Sequence, residues 1–438
     1  MASTPIASPW TPYGLSDDPF FQAPLAPSDD AARPITLFVG REEEVQLLGG
    51  QVVGSSSSRA IIQGPAGVGK TSFVNRLKVA LAEQGVLTHE QPVRIRAGMS
   101  PRQFCAEVLR VLLQIRATQA PAPGLARNTA KLASKEARGE DAFWRRVGHL
   151  VEGEDTTAGG VTFGVPAANI GVQKERGRIP AEVDELSLDA ELAQAVAYLS
   201  AGGKRHVLLH VDNLENLSGV DAAAAASLVQ NLRDSFLTDH SHWLFVGTDN
   251  IEQWIFRTTE QVGGIIPFAV DLEPLPAEAI AEVLHRRYQH LRRGRNLTPP
   301  IEPAVAAALY ERYHGDLRNF LRLLSRAVQH HAITSPGRPL GAGELVALMA
   351  PRYWPDLVKR IGEPDARHLA VIYAEKLYDA EFRVADAVQA IGTMTQPAAS
   401  KLVRRLLAAG VITQSRVDGK SVYYRLRTGD LTIALGLS

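Results

Sequence analysis

Gly64-Pro65-Ala66-Gly67-Val68-Gly69-Lys70-Thr71 spells G-x-x-x-x-G-K-T, an order of residue types suited to holding a chain of phosphates. Its three glycines let the backbone wrap closely around an anion and turn its N–H groups inward. Lys70 is placed to reach the terminal phosphates, and the Thr71 hydroxyl can ligate Mg²⁺. Pro65, Ala66, Val68 and Ser72 complete the stretch expected to lie against the ligand. The flanks agree. Arg59 to Gln63 is an apolar run of strand length, and Ser72 to Glu83 carries Phe73, Val74, Leu77, Ala80 and Leu81 at helical spacing. Strand, glycine loop and helix N-terminus follow in the order that also aims the helix dipole at the phosphates. This is a nucleotide-binding arrangement.

A second chemical group lies downstream. Arg205 to Val211 reads as a buried strand that ends at Asp212, with Asn213, Leu214 and Glu215 after it. A carboxylate at the carboxyl end of a hydrophobic parallel strand can hold Mg²⁺ opposite the phosphate loop, so Thr71 and Asp212 are the expected metal side chains. His206 and His210 are expected in the core or on a sheet face. His242 to Gly247 is another buried strand, followed by Thr248-Asp249-Asn250. Ile251 to Phe256 continues as helix, with Arg257 beyond it, and Ile265 to Val270 forms a last strand. Two helices, Ala277 to Leu291 and Glu302 to His314, precede Gly315-Asp316-Leu317-Arg318, which opens an amphipathic helix.

Taken in this order, the motifs resemble AAA+ ATPases of the origin-recognition and loader type, or the related STAND switch ATPases. The resemblance covers roughly 36–330. It implies an α/β P-loop fold with a parallel sheet and helical lid, ATP and Mg²⁺ as cofactors, and ATP hydrolysis. It places the Phe38 to Glu44 segment, with Arg41, against the adenine. It makes Thr248 and Asn250 candidates for the polar residue near the γ-phosphate, Arg257 a candidate arginine finger for a neighbouring subunit, and Arg318 the lid residue that reports the γ-phosphate. The family usually places its catalytic Glu directly after the strand-end Asp. Here Asn213 holds that position and Glu215 lies two residues on. Either Glu215 substitutes or turnover is slow; slow hydrolysis is the expectation.

Composition fits a multidomain globular chain: 438 residues, 45% hydrophobic and 21% charged. Lys plus Arg and Asp plus Glu are both 47, so any affinity for a polyanion must come from a local patch. The single Cys105 excludes a disulfide framework. No secretory signal and no spanning run appear, so a cytoplasmic protein with no membrane partner is expected. Residues 1–34, rich in Pro, Ser and Ala, suggest a flexible arm, although Tyr13 to Phe21 gathers an aromatic cluster able to dock. The nucleotide-binding domain is expected over 35–274, with an insertion at 117–190. Thr156 to Val172 reads as a β-hairpin within it, and Ala223 to Phe236 reads as an amphipathic helix. The lid is expected over 275–350 and a linker over 351–364.

Residues 365–438 complete the chain. Asp365 to Tyr378, Val384 to Ile391 and Thr395 to Ala409 read as helices. Val411 to Arg416 and Ser421 to Leu426 read as strands joined around Asp418-Gly419. Three helices and a hairpin resemble the winged helix-turn-helix of MarR-like regulators. The resemblance would put Gln396, Ser400, Lys401 and Arg404 of the third helix on duplex DNA, with Arg416, Lys420 and Arg425 around the wing. Basic residues far outnumber acidic ones between Lys401 and Arg427. The expectation is an ATP-controlled, DNA-binding assembly switch that forms homo-oligomers when ATP-bound, with protein partners possible. Two other readings stay open: a STAND-type signalling or defence ATPase whose winged helix binds protein, and a transposition or motor-type regulator.

Overall fold

The structure, a computed structural model, describes residues 8–27, 32–96, 98–119, 135–157, 185–201, 203–214, 236–249, 251–252, 268–313, 315–375, 381–419, 421–427 and 429–436. The first unit comprises α1 (Glu42–Val53), β1 (Ser58–Gln63), α2 (Lys70–Glu83), β2 (Leu87–Thr88), β3 (Val93–Arg94), α3 (Pro101–Gln119), α4 (Lys135–Thr157), α5 (Glu185–Leu199), β4 (Val207–Asp212), β5 (Ser241–Val246) and β6 (Phe268–Asp271). Its strands pair in the order β6-β1-β5-β4-β2, with β3 also on β4, and every pairing is parallel. The parallel sheet explains why β4 and β5 read as unbroken apolar runs: helices cover both faces. One face buries Val45, Leu48, Phe73, Val74 and Leu77 of α1 and α2. The other buries Phe104, Leu109, Trp144 and Leu192 of α3 to α5. Cys105 is a buried free thiol there.

Several sequence expectations change in this unit. Between β2 and β3 the chain wraps the end of a buried lysine. Lys78 donates to the carbonyl oxygens of His89 (2.7 Å) and Glu90 (3.0 Å). Burial lowers its pKa to about 8. Helix α3 buries Ile115 near its carboxyl end. Thr156 and Thr157, the first residues of the expected hairpin, end α4; the rest of that hairpin lies outside the described residues. So does the helix expected at Ala223 to Phe236, except Phe236 itself, which packs against Trp243 and Phe245.

The lid comprises α6 (Ala277–His290), α7 (Pro303–Tyr310), a 3₁₀ turn (Glu311–Tyr313), α8 (Leu317–Thr334) and α9 (Ala342–Ile361). Helix α8 buries Phe320, Leu321, Leu323, Leu324, Ala327 and Val328 along one face. The lid's core includes Trp10, Tyr13, Leu15 and Phe20. Residues 8–27 are therefore no flexible arm. Fully burying each such side chain contributes roughly 1.5–3 kcal/mol, which works against the entropy lost in ordering the segment.

The expected linker 351–364 is corrected too. Helix α9 continues through Pro351 and Pro355 to Ile361, because both of its ends are anchored. Leu345, Val346 and Met349 lie in the lid core, while Leu357 lies in the core of the last unit. That unit comprises α10 (Glu363–Glu375), β7 (Glu381–Phe382), α11 (Val384–Ile391), α12 (Gln396–Ala408), β8 (Ile412–Asp418), β9 (Ser421–Leu426) and α13 (Gly429–Ala434). Its antiparallel sheet runs β7-β9-β8. The sequence reading missed β7 and α13. No described helix is long and apolar enough to cross a membrane.

Candidate functional site

The glycine loop leaves β1 at the carboxyl edge of the sheet, and two of its glycines are sterically required. A Cβ on Gly64 (φ +155°) would stand 2.6 Å from the Leu272 carbonyl oxygen. One on Gly67 (φ +82°) would stand 2.3 Å from Asp316 Oδ1. Lys70 opens α2, and its Nζ donates to the carbonyl oxygens of Gly64 (2.7 Å) and Pro65 (3.0 Å). The ammonium is thus held at the loop's mouth by acceptors that a phosphate oxygen, being charged, would outcompete. Thr71 and Ser72 follow in the first turn of α2.

Asp212 ends β4 and accepts the Asn213 backbone N–H at 2.9 Å. Burial pushes its carboxyl pKa up, opposed by that hydrogen bond and by the charges of Lys70, Arg94 and Lys78. Asn213 adopts a left-handed backbone (φ +66°). Between β4 and β1 runs β5, whose end is pinned by the Gly247 N–H donated to the Ile62 carbonyl (3.1 Å). Half-buried Thr248 follows at the same sheet edge. Glu215, Asn250 and Arg257 lie outside the described residues. Among the described residues no cluster of three or more His, Cys, Asp or Glu could hold a metal ion alone. One hydroxyl (Thr71) and one carboxylate (Asp212) still fit Mg²⁺, which binds through one or two side chains, water and phosphate oxygens.

The lid completes the site. Asp316 caps α8, accepting the Asn319 backbone N–H at 3.0 Å, while its other flank rests on Gly67. Arg318, in the first turn of α8, lines a cavity with Gly67, Gly69, Lys70 and Thr71. Arg41 takes a supporting position. Its guanidinium donates to the carbonyl oxygens of Val68 (3.0 Å) and Glu273 (2.6 Å), tying the loop to the chain after β6. Burial lowers its pKa.

Sequence reading missed one wall of this cavity, formed by Phe21, Gln22, Ala23 and Pro24. Arg287 of α6 donates to the carbonyl oxygens of Pro19 (3.1 Å) and Phe21 (2.9 Å) and stacks on the Phe21 ring at 3.9 Å. Burial lowers the Arg287 pKa to about 10. The signal available was the aromatic cluster of the N-terminal segment. Nothing in the sequence located its partner.

In the C-terminal unit, Gln396, Lys401 and Arg404 are exposed on α12 and Ser400 is half-buried, while Ala399, Leu402, Val403 and Leu406 face inward. Arg405, next in the chain, forms two hydrogen bonds to buried Asp365 (2.7 and 2.8 Å). Arg416 donates to Glu381 at 2.8 Å and lies 3.8 Å over the Tyr423 ring. Arg425 lines a cleft with Tyr310, Glu311 and Gly315 of the lid. Strand β7 sets Glu381 opposite Arg425 in the sheet. Arg416 thus pairs with the protein's own Glu381, while Arg425 is exposed. Lys420 lies outside the described residues.

Residues 37–246 match a family model described as an AAA ATPase domain. No curated protein matches the chain. Among solved structures, the chain is similar to the Aeropyrum pernix ORC2 protein in ADPNP–ADP complexes, at 14% identity and a TM-score of 0.48, covering 97% of this chain and 98% of that one. It is also similar to the Aeropyrum pernix ORC1 protein in complex with DNA, at 14% identity and a TM-score of 0.41, covering 91% and 92%. A Drosophila ORC structure bound to DNA matches at 14% identity and a TM-score of 0.44, covering 99% and 95%.

Proposed function

We propose that this chain, whose residues 37–246 form an AAA ATPase domain, is an ATP-controlled switch that assembles on duplex DNA and hydrolyses ATP slowly. One observation carries the reading. The segment Tyr313 to Arg318 touches the phosphate loop at one end and the C-terminal unit at the other. Asp316 rests on Gly67, and Tyr313 donates to Asp430 at 3.1 Å.

In this reading the loop's backbone N–H groups and Lys70 bind the phosphates, and Arg318 reaches the γ-phosphate from the lid. Thr71 and Asp212 hold Mg²⁺, which supplies charge neutralisation of the phosphate oxygens when bound. Asn213 cannot serve as general base because an amide does not accept a proton at neutral pH. Deprotonation of the attacking water therefore falls to Glu215, with Thr248 or Asn250 orienting it, and turnover is slow. A second subunit donates Arg257 or another arginine. The unit at 365–438 acts as a winged helix-turn-helix, with the α12 row Gln396, Ser400, Lys401 and Arg404 in the major groove.

The test is ATP turnover with and without duplex DNA, with oligomeric mass followed in the same samples. DNA-stimulated turnover and ATP-dependent assembly are expected, and Lys70→Ala should remove both. A monomer that retains nucleotide and ignores DNA would favour the STAND-type reading, for which Asn213 already speaks. There the winged helix would dock a protein trigger.

A further inference from the structure

The loop between α6 and α7 carries a charge cluster that neither the ATP site nor the winged helix uses. Between Glu282 and Glu302 the chain holds five arginines and no acidic residue. Two of the five are engaged inside the protein. Arg286 pairs with Glu282 at 2.6 Å, and Arg287 holds the carbonyl oxygens of Pro19 and Phe21. Arg292, Arg293 and Arg295 are exposed. Among the described residues no carboxylate lies in ion-pair contact with any of the three. Arg292 turns back on its own loop, donating to the carbonyl oxygens of Gly294 (2.9 Å) and Arg295. The guanidinium groups of Arg293 and Arg295 are left to solvent.

The N-terminal segment fixes this loop along its length. The Ser16 N–H donates to the Leu291 carbonyl (2.8 Å), the Arg293 N–H to the Gly14 carbonyl (2.7 Å), and the Thr298 N–H to the Tyr13 carbonyl (3.0 Å). Gly14 sits so close that a Cβ there would stand 2.1 Å from the Asn296 carbonyl oxygen. On either side of it, Tyr13 and Leu15 are buried in the lid core. Asp17, the acid that follows, accepts the Asp18 N–H at 2.7 Å. The two free arginines therefore stand on a backbone that is already ordered, which lowers the entropy lost on binding. The chemistry of the face selects the partner. None of the exposed large apolar side chains lies on this loop, so it lacks the apolar anchor on which protein interfaces depend. Unpaired guanidinium groups suit phosphate oxygens, contacts that position a nucleic acid without reading its sequence. We propose that the loop from Arg292 to Asn296 is a second duplex-DNA contact, outside the winged helix, in which Arg293 and Arg295 each neutralise a backbone phosphate. The inference rests on the DNA-binding reading and adds a grip on the lid to it.

The test is duplex affinity across a salt series, read by fluorescence anisotropy of a labelled duplex of mixed sequence titrated with the full chain. Arg293→Ala plus Arg295→Ala removes two exposed side chains and should leave the melting temperature unchanged. It should weaken binding roughly tenfold at about 0.1 M salt. The slope of log affinity against log salt should become shallower by about two, one phosphate for each arginine. Arg145→Ala plus Lys204→Ala takes the same charge from exposed positions of the ATPase unit and should change affinity by less than about twofold, since salt screens distant charges. Equal losses in the two double variants would make the effect one of net charge and overturn the proposal. So would a loop variant that binds DNA as the wild type does, which would leave the arginines to an acidic protein or a membrane surface. In that case Arg404→Ala should still weaken binding, and the DNA-binding reading would stand. A wild type with no affinity for the duplex would remove that reading and this site with it.

Discussion

At Gly67 a missing Cβ is what lets the lid touch the phosphate loop. In Gly67→Ala the methyl group would meet Asp316 Oδ1 at 2.3 Å, on a backbone of φ +82°. The left-handed conformation alone costs a non-glycine residue about 1–2 kcal/mol. The expected outcome is loss of tight ATP binding with a lowered melting temperature, read by titration and thermal denaturation. The consecutive pair Arg404 and Arg405 separates binding from folding just as sharply. Arg405→Ala strands the buried Asp365 carboxylate and should destabilise the C-terminal unit by roughly 1–3 kcal/mol. Exposed Arg404→Ala should leave stability within about 0.5 kcal/mol. It should weaken DNA binding and flatten its salt dependence by about one phosphate contact. Urea melts and DNA titrations across a salt series decide both. The glycine loop was legible in sequence because its chemistry is local, eight consecutive residues with one task. The division between Arg404 and Arg405 was not, because it depends on Asp365 forty positions away. The Arg416–Glu381 pair was hidden for the same reason, its partner lying in a strand 35 positions away.

Among elements, the parallel strands were the easiest to read, since burial on both faces writes itself as unbroken apolar runs. Helix α9 was the hardest. Pro351 and Pro355 argue locally for a linker, and only the anchoring of Leu345 and Leu357 in two separate cores keeps the helix continuous. The sheet also carries a titratable feature at the end opposite the phosphate loop. His242 in β5 is fully buried. Its Nδ1 pairs with Ser58 Oγ at 2.8 Å and its Nε2 with His206 Nδ1 at 2.9 Å. Burial, then His206, Arg59 and His240, lower its pKa from 6.5 to about 4. The unfolded chain therefore binds a proton below 6.5 that the folded one refuses until about 4. Stability is full above that window and is lost as pH falls through it, by up to ~1.4 kcal/mol per pH unit. Urea unfolding followed by the fluorescence of buried Trp243 should show this slope, and His242→Gln should flatten it. A slope equal in wild type and variant would assign the acid sensitivity elsewhere.

For the whole molecule, the open question is how a ligand on the phosphate loop could change what the C-terminal unit does. Among the described residues, Ile433 of α13 packs into the lid core, and two further connections join that unit to the lid. Helix α9 is a covalent spine through both cores. The other is a small clasp: Asp430 of α13 accepts hydrogen bonds from Tyr313 (3.1 Å) and Arg322 (2.9 Å), and Gly429 lies so close to the Tyr313 ring that a Cβ would stand 2.4 Å from it. The clasp is the one that lies within a few residues of the loop contact at Asp316. Tyr313 is three residues from Asp316 and five from Arg318. Asp430→Ala should remove hydrogen bonds worth roughly 1–2 kcal/mol, since Arg322 remains partly hydrated. It should leave ATP affinity within about threefold, because no loop residue is touched. If the segment carries the switch, ATP should shift DNA affinity in the wild type by a factor in the usual 5–150-fold range of coupled sites. In Asp430→Ala that factor should fall toward one, with DNA affinity then indifferent to nucleotide. Since coupling between binding sites is reciprocal, the same variant should also stop DNA from altering ATP affinity. Titrating each ligand in the presence and absence of the other measures both sides of that equality. Coupling that persists at full strength would move the connection from the clasp to α9, where the two prolines would become the residues to change.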